Sequence, residues 1–244
     1  MVQYNPLQYL PTAEELPDSD DTPVDNELQI LIPILLRAIL ALLWADRMDW
    51  FFGVNMGVYY EPDKSAIVPD GFLSLGVERY KAGGRLRLSY VLWQEHNIVP
   101  QWVLEVVSKT PGGEYDEKMT KYAQISVLYY VIYNPDYSRR DKHDPFEVYR
   151  LVNGVYVRQT GNPVWMPEIG LGIGCEVGTH EGCTREWLYW YDQQGDRFPT
   201  PANVIEQERQ RAEQSQQQLE QERQRAERLA ERLRQMGVDP DRLG

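Results

Sequence analysis

Residues 101–135 read QWVLEVVSKTPGGEYDEKMTKYAQISVLYYVIYNP, and most of what the sequence says about fold class lies here. The stretch begins with the apolar run QWVLEVVS and ends with the run VLYYVIYN, which are both typical of buried strands. Between them, a turn containing Gly112 and Gly113 precedes a predicted helix from about Glu114 to Ile125. A strand, a helix and a second strand in this order predict an α/β domain with a mixed sheet flanked by helices.

Similar strand-like runs continue on both sides of this unit, from Asp49 to about Trp190, with turn residues between them. They are WFFGVNMGVYY (50–60), AIVPDGFLSL (66–75), LSYVLWQE (88–95), FEVYRLV (146–152), VYVRQT (155–160) and EWLYWYD (186–192). The pattern therefore predicts that the sheet is built from most of the central part of the chain.

The most apolar segment precedes these runs and reads ELQILIPILLRAILALLWA at residues 27–45. A membrane span needs about 20 consecutive apolar residues. Here Arg37 lies in the middle of the segment, and Pro33 would kink a helix. We therefore predict a helix that packs on the sheet rather than one that crosses a membrane.

The net charge of −12 is concentrated in one short segment, because residues 14–27 contain seven acidic side chains and no basic one. Proteins that grip nucleic acid are usually basic on one face. The composition shows no such face, which counts against tight DNA binding and leaves room only for a small basic patch. The two cysteines, Cys175 and Cys183, cannot build a disulfide framework, so we expect a reducing, cytoplasmic environment.

The C-terminal part repeats itself with a period of two heptads. Residues 206–219 read EQERQRAEQSQQQL and residues 220–233 read EQERQRAERLAERL, which predicts a long helix. One seam is apolar throughout, but the other contains Glu208, Ser215 and Glu222. Both a weak homodimeric coiled coil and a solvated single helix fit this pattern.

Three regions follow from these observations. Residues 1–21 form an acidic, loosely held lead-in, residues 22–200 form the α/β domain, and residues 201–244 form the helical tail. The sequence contains no P-loop, no HExxH and no GxSxG motif, so several common enzyme classes are excluded.

A pair of acidic residues is the strongest chemical signal that remains. Asp70 follows the apolar run before it near a strand end, and Glu105 lies inside the strand QWVLEVVS among apolar neighbours. An acid buried there is costly unless it is paired, so a structural ion pair or an exposed strand face would also explain it. Lys118 and Tyr122 follow on one face of the predicted helix. Two carboxylates and a lysine are what metal-dependent phosphodiester cleavage requires, because hard oxygen ligands hold Mg²⁺.

Four motifs together resemble one protein family: PDG at 69–71, LEVVS at 104–108, EYDEKMTKY at 114–122 and VLYYVIYNP at 127–135. They are similar to the restriction-endonuclease-like family of bacterial proteins within the PD-(D/E)xK nuclease superfamily. The resemblance covers roughly residues 22–195 and implies a restriction-endonuclease-like fold. It also implies an endonuclease that uses Mg²⁺ or Mn²⁺ and acts on DNA.

The resemblance assigns the metal ligands. Asp70 corresponds to the acid of the PD motif, Glu105 to the second metal carboxylate and the backbone carbonyl of Val106 to a third ligand. Glu27, from the first helix, corresponds to an additional acid that the superfamily often supplies. A second Pro-Asp pair, at 62–63, lies in a turn-like stretch, so we prefer Asp70.

The lysine departs from the superfamily pattern, because the position two residues after the second acid is Val107. The resemblance implies that Lys118 of the following helix replaces it, with Lys109 and Lys121 as alternatives. Tyr122 would support the site or contact phosphate. This displaced lysine also leaves open a catalytically inactive nuclease fold that acts as a protein-interaction module.

Overall fold

A computed structural model describes residues 9–17 and 26–237 of the chain. The chain divides into two compact units between Phe198 and Pro199. The predicted end of the acidic lead-in, at residue 21, lies outside the described residues. In the described part the fold is a mixed α/β fold followed by a long C-terminal helix, which confirms the predicted fold class.

The helices of the described chain are α1 (Leu28–Leu43), α2 (Glu117–Gln124), α3 (Ser138–Asp141) and α4 (Pro201–Gln235). The strands are β1 (Trp50–Val54), β2 (Val58–Tyr59), β3 (Gly71–Leu75), β4 (Tyr90–Val91), β5 (Trp102–Val106), β6 (Tyr129–Tyr133), β7 (Phe146–Val152), β8 (Val155–Gln159), β9 (Val164–Met166), β10 (Leu171–His180) and β11 (Cys183–Tyr191).

The main sheet of the described residues has six strands in the order β1-β3-β5-β6-β7-β8. Strands β5 and β6 are parallel, whereas the other neighbours in this sheet are antiparallel. Parallel neighbours need a long crossover, and helix α2 lies in this connection. The parallel pairing places Glu105 opposite Ile132 at the centre of the sheet.

The two faces of β5 belong to different parts of the core, because successive side chains on a strand point to opposite faces. Leu104 and Val106 belong to the cluster that contains the buried side of α1. Val103 and Val107 belong to the cluster that contains Tyr122 of α2. Strand alternation therefore places Glu105 on the face that α2 covers.

Helix α1 is shorter than the predicted segment and has 16 residues. Its first free backbone N–H groups, those of Leu28 and Gln29, donate to Asn26 Oδ1 at 2.9 and 3.2 Å. The backbone N–H of Trp44 closes the other end by donating to the carbonyl of Leu40.

Within the described residues, no helix combines the length and the apolar character that a membrane crossing requires.

A smaller antiparallel sheet, in the order β11-β10-β9, covers α1 and contributes to the same core. The sequence did not predict β9, and it left the run from Gly170 to Gly178 as either a loop or a hairpin, because glycine disfavours strands. The structure has a hairpin here, formed by β10 and β11. Packing explains Gly174: a Cβ there would lie 2.5 Å from Asn162 Oδ1 and 3.0 Å from Pro163. The glycine therefore allows a close approach of two backbone segments.

Helix α4 confirms the predicted long helix and has 35 residues. Thr200 and Asn203 form a capping box at its start, which satisfies free N–H groups there. None of its residues is buried, and its apolar side chains Ile205, Leu219 and Leu229 are 70%, 71% and 55% exposed. The coiled coil stays a prediction.

Candidate active site

Asp70 lies where the start of β3 meets the end of β5. These strands are antiparallel, and Gly71 is paired with Leu104. Asp70 is 6% exposed, and its Oδ2 accepts a hydrogen bond of 2.6 Å from the backbone N–H of Val106. Its own carbonyl accepts from the N–H of Asn55. The strand pairing thus holds the first predicted acid beside the strand that carries the second.

Glu105 is 1% exposed and is bonded through both of its oxygens. Lys118 Nζ donates to Oε2 at 2.7 Å, and the hydroxyl of Tyr122 donates to Oε1 at 2.6 Å. Both partners come from one face of α2, since residues four apart on a helix lie above one another. The structure therefore brings Glu105, Lys118 and Tyr122 into direct contact, with Asp70 bound to the next residue of β5.

The two acids are in an electrostatically unfavourable position. Burial, followed by the charge of Glu105, raises the pKa of Asp70 well above its usual range. Burial also raises the pKa of Glu105, although the charge of Lys118 opposes this. Burial acts to lower the pKa of Lys118, but the Glu105 carboxylate more than offsets it, so this pKa is raised. Lys118 is therefore held as a cation, and a further positive charge would stabilise the ionised acids.

These groups fit a small divalent cation. Two buried carboxylates that repel each other provide the hard oxygen donors that Mg²⁺ and Mn²⁺ prefer. In the described part of the chain, no group of three or more His, Cys, Asp and Glu side chains forms a metal cluster. A cation at Asp70 and Glu105 would therefore need the Val106 carbonyl and water to complete its coordination.

A third acid near the site was not predicted from the sequence. Glu114 is 5% exposed, and its carboxylate accepts from the N–H of Gly112 at 2.9 and 3.1 Å. Its charge contributes to the raised pKa of both Asp70 and Glu105. A Cβ on Gly112 would lie 2.6 Å from Glu114 Oε1, so the glycine leaves room for the carboxylate to reach the backbone in this position.

The sequence suggested a different role for this acid, as part of a helix that begins at Glu114. In the structure α2 begins at Glu117, because the preceding residues form the turn that binds the Glu114 side chain. The glycine pair before Glu114 was the available signal, since it allows a turn in which a carboxylate can reach a backbone N–H.

Other predicted residues lie elsewhere. Glu27 is exposed at the start of α1, and in the described residues no hydrogen bond or ion pair joins it to Asp70 or Glu105. Lys109 and Lys121, the alternatives to Lys118, are both exposed. The second Pro-Asp pair, at 62–63, lies in a surface turn.

Residues 5–178 match the Uma2 family, whose description is "Putative restriction endonuclease". The matched range includes Asp70, Glu105 and Lys118. A solved structure titled as a putative nuclease belonging to DUF820, from Anabaena variabilis, is similar at 14% identity and a TM-score of 0.45. That similarity covers 64% of this chain and 89% of the other. No curated protein matches the chain. Since the family match extends over more than half of the chain, the protein belongs to the Uma2 family of restriction-endonuclease-like proteins.

Proposed function

We propose that this protein is an endonuclease that hydrolyses phosphodiester bonds in DNA and depends on Mg²⁺ or Mn²⁺. Membership of the family supports a nuclease, and the geometry supports the finer assignment. The observation that carries it is the 2.7 Å contact between Lys118 Nζ and buried Glu105, next to a second buried acid, Asp70. A cation and two carboxylates in one place suit a reaction that develops charge on a phosphate.

In this proposal Asp70, Glu105 and the Val106 carbonyl hold the metal ion. A divalent cation bound there would polarise the scissile phosphate and activate a water molecule for attack. The backbone N–H of Val106 fixes Asp70, and the Tyr122 hydroxyl fixes one oxygen of Glu105. These bonds orient the carboxylates before substrate arrives, which limits the reorganisation needed during the reaction.

Lys118 has a separate role. Its ammonium has three donors, of which one goes to Glu105 Oε2. Its side chain is 28% exposed, so the remaining donors can reach a phosphate oxygen or a water from the solvent side. We therefore assign Lys118 to stabilising the charge that develops on the phosphate, and Tyr122 to positioning Glu105.

The decisive experiment is a cleavage assay of full-length protein on supercoiled plasmid and linear duplex DNA, with Mg²⁺, Mn²⁺ or EDTA. We expect metal-dependent cleavage that falls by about 10³-fold in Asp70→Asn and in Glu105→Gln. Asp63→Asn and Glu181→Gln, which replace exposed acids, are the matched controls. The proposal fails if the wild type cleaves neither substrate with either metal, or if Glu105→Gln cleaves as fast as the wild type.

A catalytically inactive, protein-binding role is the second candidate. It is favoured by α4, which exposes Ile205, Leu219 and Leu229 on a helix without a buried face. Calorimetry separates the two candidates. An interaction module should bind Mn²⁺ no differently when Glu105 is replaced by Gln, whereas the proposed nuclease should lose binding.

A further inference from the structure

Helix α3 lies at the same edge of the sheet as the candidate active site. It follows β6, which is parallel to β5, and the carboxyl ends of parallel neighbours meet at one edge. Arg140 binds α3 to the turn after β5: its Nη1 donates to the carbonyl of Lys109, and its Nη2 donates to that of Ser108 at 3.4 Å. This turn begins three residues after Glu105.

A second contact connects the residues after α3 with the site. The ring of His143 stacks on the ring of Tyr115 with 3.6 Å between their centroids. Tyr115 follows Glu114, whose charge acts on Asp70 and Glu105. The α3 segment is therefore held against both turns that border the candidate active site.

The α3 segment and the turn after β5 carry cations without an acidic partner among the described residues. Arg139, Lys142 and Lys109 are exposed, and no acidic side chain among the described residues forms an ion pair with them. Other charges nearby are paired: Arg140 with Asp141, and Arg158 with Asp144 and Glu147. Within the described residues these three cations therefore have no acidic partner, on a chain whose net charge is −12.

The surface is concave as well as basic. A cavity of about 530 Å³ is lined by Arg139, Lys142, His143 and Arg158, and also by the acids Asp144 and Glu147, which both pair with Arg158. Guanidinium and ammonium groups around a polar depression fit the oxygens of a phosphodiester, which accept several charge-assisted hydrogen bonds. We call Lys109, Arg139 and Lys142, together with this cavity, the α3 basic surface.

We propose that the α3 basic surface binds backbone phosphates of duplex DNA on one side of the scissile phosphate. This inference rests on the proposed nuclease function. Phosphate contacts position a nucleic acid without reading its sequence, so the surface would fix the register of the strand over Asp70 and Glu105. It also explains how a chain this acidic can approach a polyanion, because the attraction is confined to the edge of the site.

The test is a salt titration of DNA binding by full-length protein, measured by fluorescence anisotropy in EDTA so that no cleavage occurs. The double variant Arg139→Gln/Lys142→Gln is compared with Arg37→Gln/Arg85→Gln, which removes the same charge from exposed positions on other elements. Each lost phosphate contact should lower the slope of log K against log salt by about 0.9. We expect the α3 variant to bind about tenfold more weakly at 100 mM salt and the control to bind like the wild type.

The outcomes separate this inference from the proposed function. If the wild type cleaves DNA but the α3 variant keeps its affinity and salt slope, the inference is overturned and the nuclease stands. If the α3 variant loses binding but the wild type never cleaves with Mg²⁺ or Mn²⁺, the surface stands and the nuclease fails. If both double variants lose affinity equally, or the wild type does not bind DNA, the inference is overturned.

Discussion

Lys118 Nζ lies 2.7 Å from Glu105 Oε2, although the two residues are 13 positions apart and belong to different elements. The position on the strand where the superfamily usually has its lysine is Val107, which is 2% exposed and packs in the core. Lys118 of α2 therefore supplies to Glu105 the ammonium group that a lysine at position 107 would supply in the usual pattern.

Replacing Lys118 by Met should lower the rate of DNA cleavage by about 10²-fold or more, because the proposed mechanism uses this charge to stabilise the transition state. Lys121→Met, which removes an exposed cation from the same helix, should cleave like the wild type. Single-turnover rates at saturating DNA measure the effect. Equal rates for the two variants would remove Lys118 from the mechanism.

Asp70→Asn should stabilise the metal-free protein at neutral pH by about 1 kcal/mol. Burial raises the pKa of Asp70 in the folded state, so the folded protein holds this proton more tightly than the unfolded chain does. Wild-type stability therefore falls as pH rises from about 4, the usual pKa of an aspartate, through the raised pKa. Asp70→Asn has no carboxyl group to titrate at this position, so its free energy of unfolding should not fall in this way. The difference in stability between the variant and the wild type should therefore grow over the same pH window.

Urea unfolding in EDTA at a series of pH values checks this, with Asp63→Asn as the control for an exposed aspartate. Adding Mn²⁺ should then stabilise the wild type, by about 2.7 kcal/mol at 100 times Kd, and leave Asp70→Asn unchanged. A variant that is less stable than the wild type at every pH would contradict the claim that ionised Asp70 destabilises the metal-free fold.

Glu114→Gln should weaken Mn²⁺ binding by about tenfold, since a nearby negative charge is lost while the acceptor for the Gly112 N–H remains. The pKa of Asp70 and of Glu105 should fall, because the charge of Glu114 raises both. The pH dependence of cleavage should shift to lower pH accordingly. Glu117→Gln, at an exposed position three residues later, should change neither property.

Tyr122→Phe should lower stability by about 1–3 kcal/mol, because the buried Oε1 of Glu105 loses its hydrogen-bond donor. Cleavage should fall less than in Lys118→Met, because the charge remains. Tyr156→Phe deletes a hydroxyl that donates to the Val127 carbonyl, and it is the matched control. A Tyr122→Phe enzyme with wild-type stability and activity would show that the hydroxyl does not position Glu105.

Deleting residues 203–244 should leave the α/β unit folded, because its core clusters lie entirely upstream. The full-length chain should form a weak, concentration-dependent homodimer through apolar residues of the C-terminal helix and its cap: Leu219, Ala226, Leu229, Leu233 and Met236. Light scattering across a concentration series measures the oligomeric state of the full-length protein and of the deletion. A full-length protein that is monomeric at high micromolar concentration, or a deletion that still dimerises, would exclude a dimer formed by the tail.

Local patterns were sufficient for the class of fold, since apolar alternation and the strand–turn–helix–strand order predicted a mixed α/β architecture. Strand β10 could not be assigned from the local pattern, because its glycines are explained by packing against distant residues. Gly174 packs on Asn162 and Pro163. The start of α1 was not predicted either, because it depends on the side chain of Asn26, which binds the first N–H groups of the helix.

For the site, Glu105 was visible because an acid inside an apolar strand is an anomaly, whereas the roles of Asp70 and Lys118 followed from the resemblance to the nuclease family. Glu114 gave no such signal, because an acid before a helix is ordinary. Its importance depends on where the Gly112 turn directs the side chain, and only three-dimensional coordinates contain that information.

The parallel pairing of β5 with β6 has a consequence for how this site can arise. Because that pairing requires the α2 crossover, the same short piece of chain completes the sheet centre and assembles Glu105, Lys118 and Tyr122. Loop closure over such a short span costs little entropy, so these three groups can meet early in folding. Asp70 precedes β3 and reaches the site through the separate pairing of β3 with β5, so the second acid depends on a contact that spans 36 residues and is independent of α2.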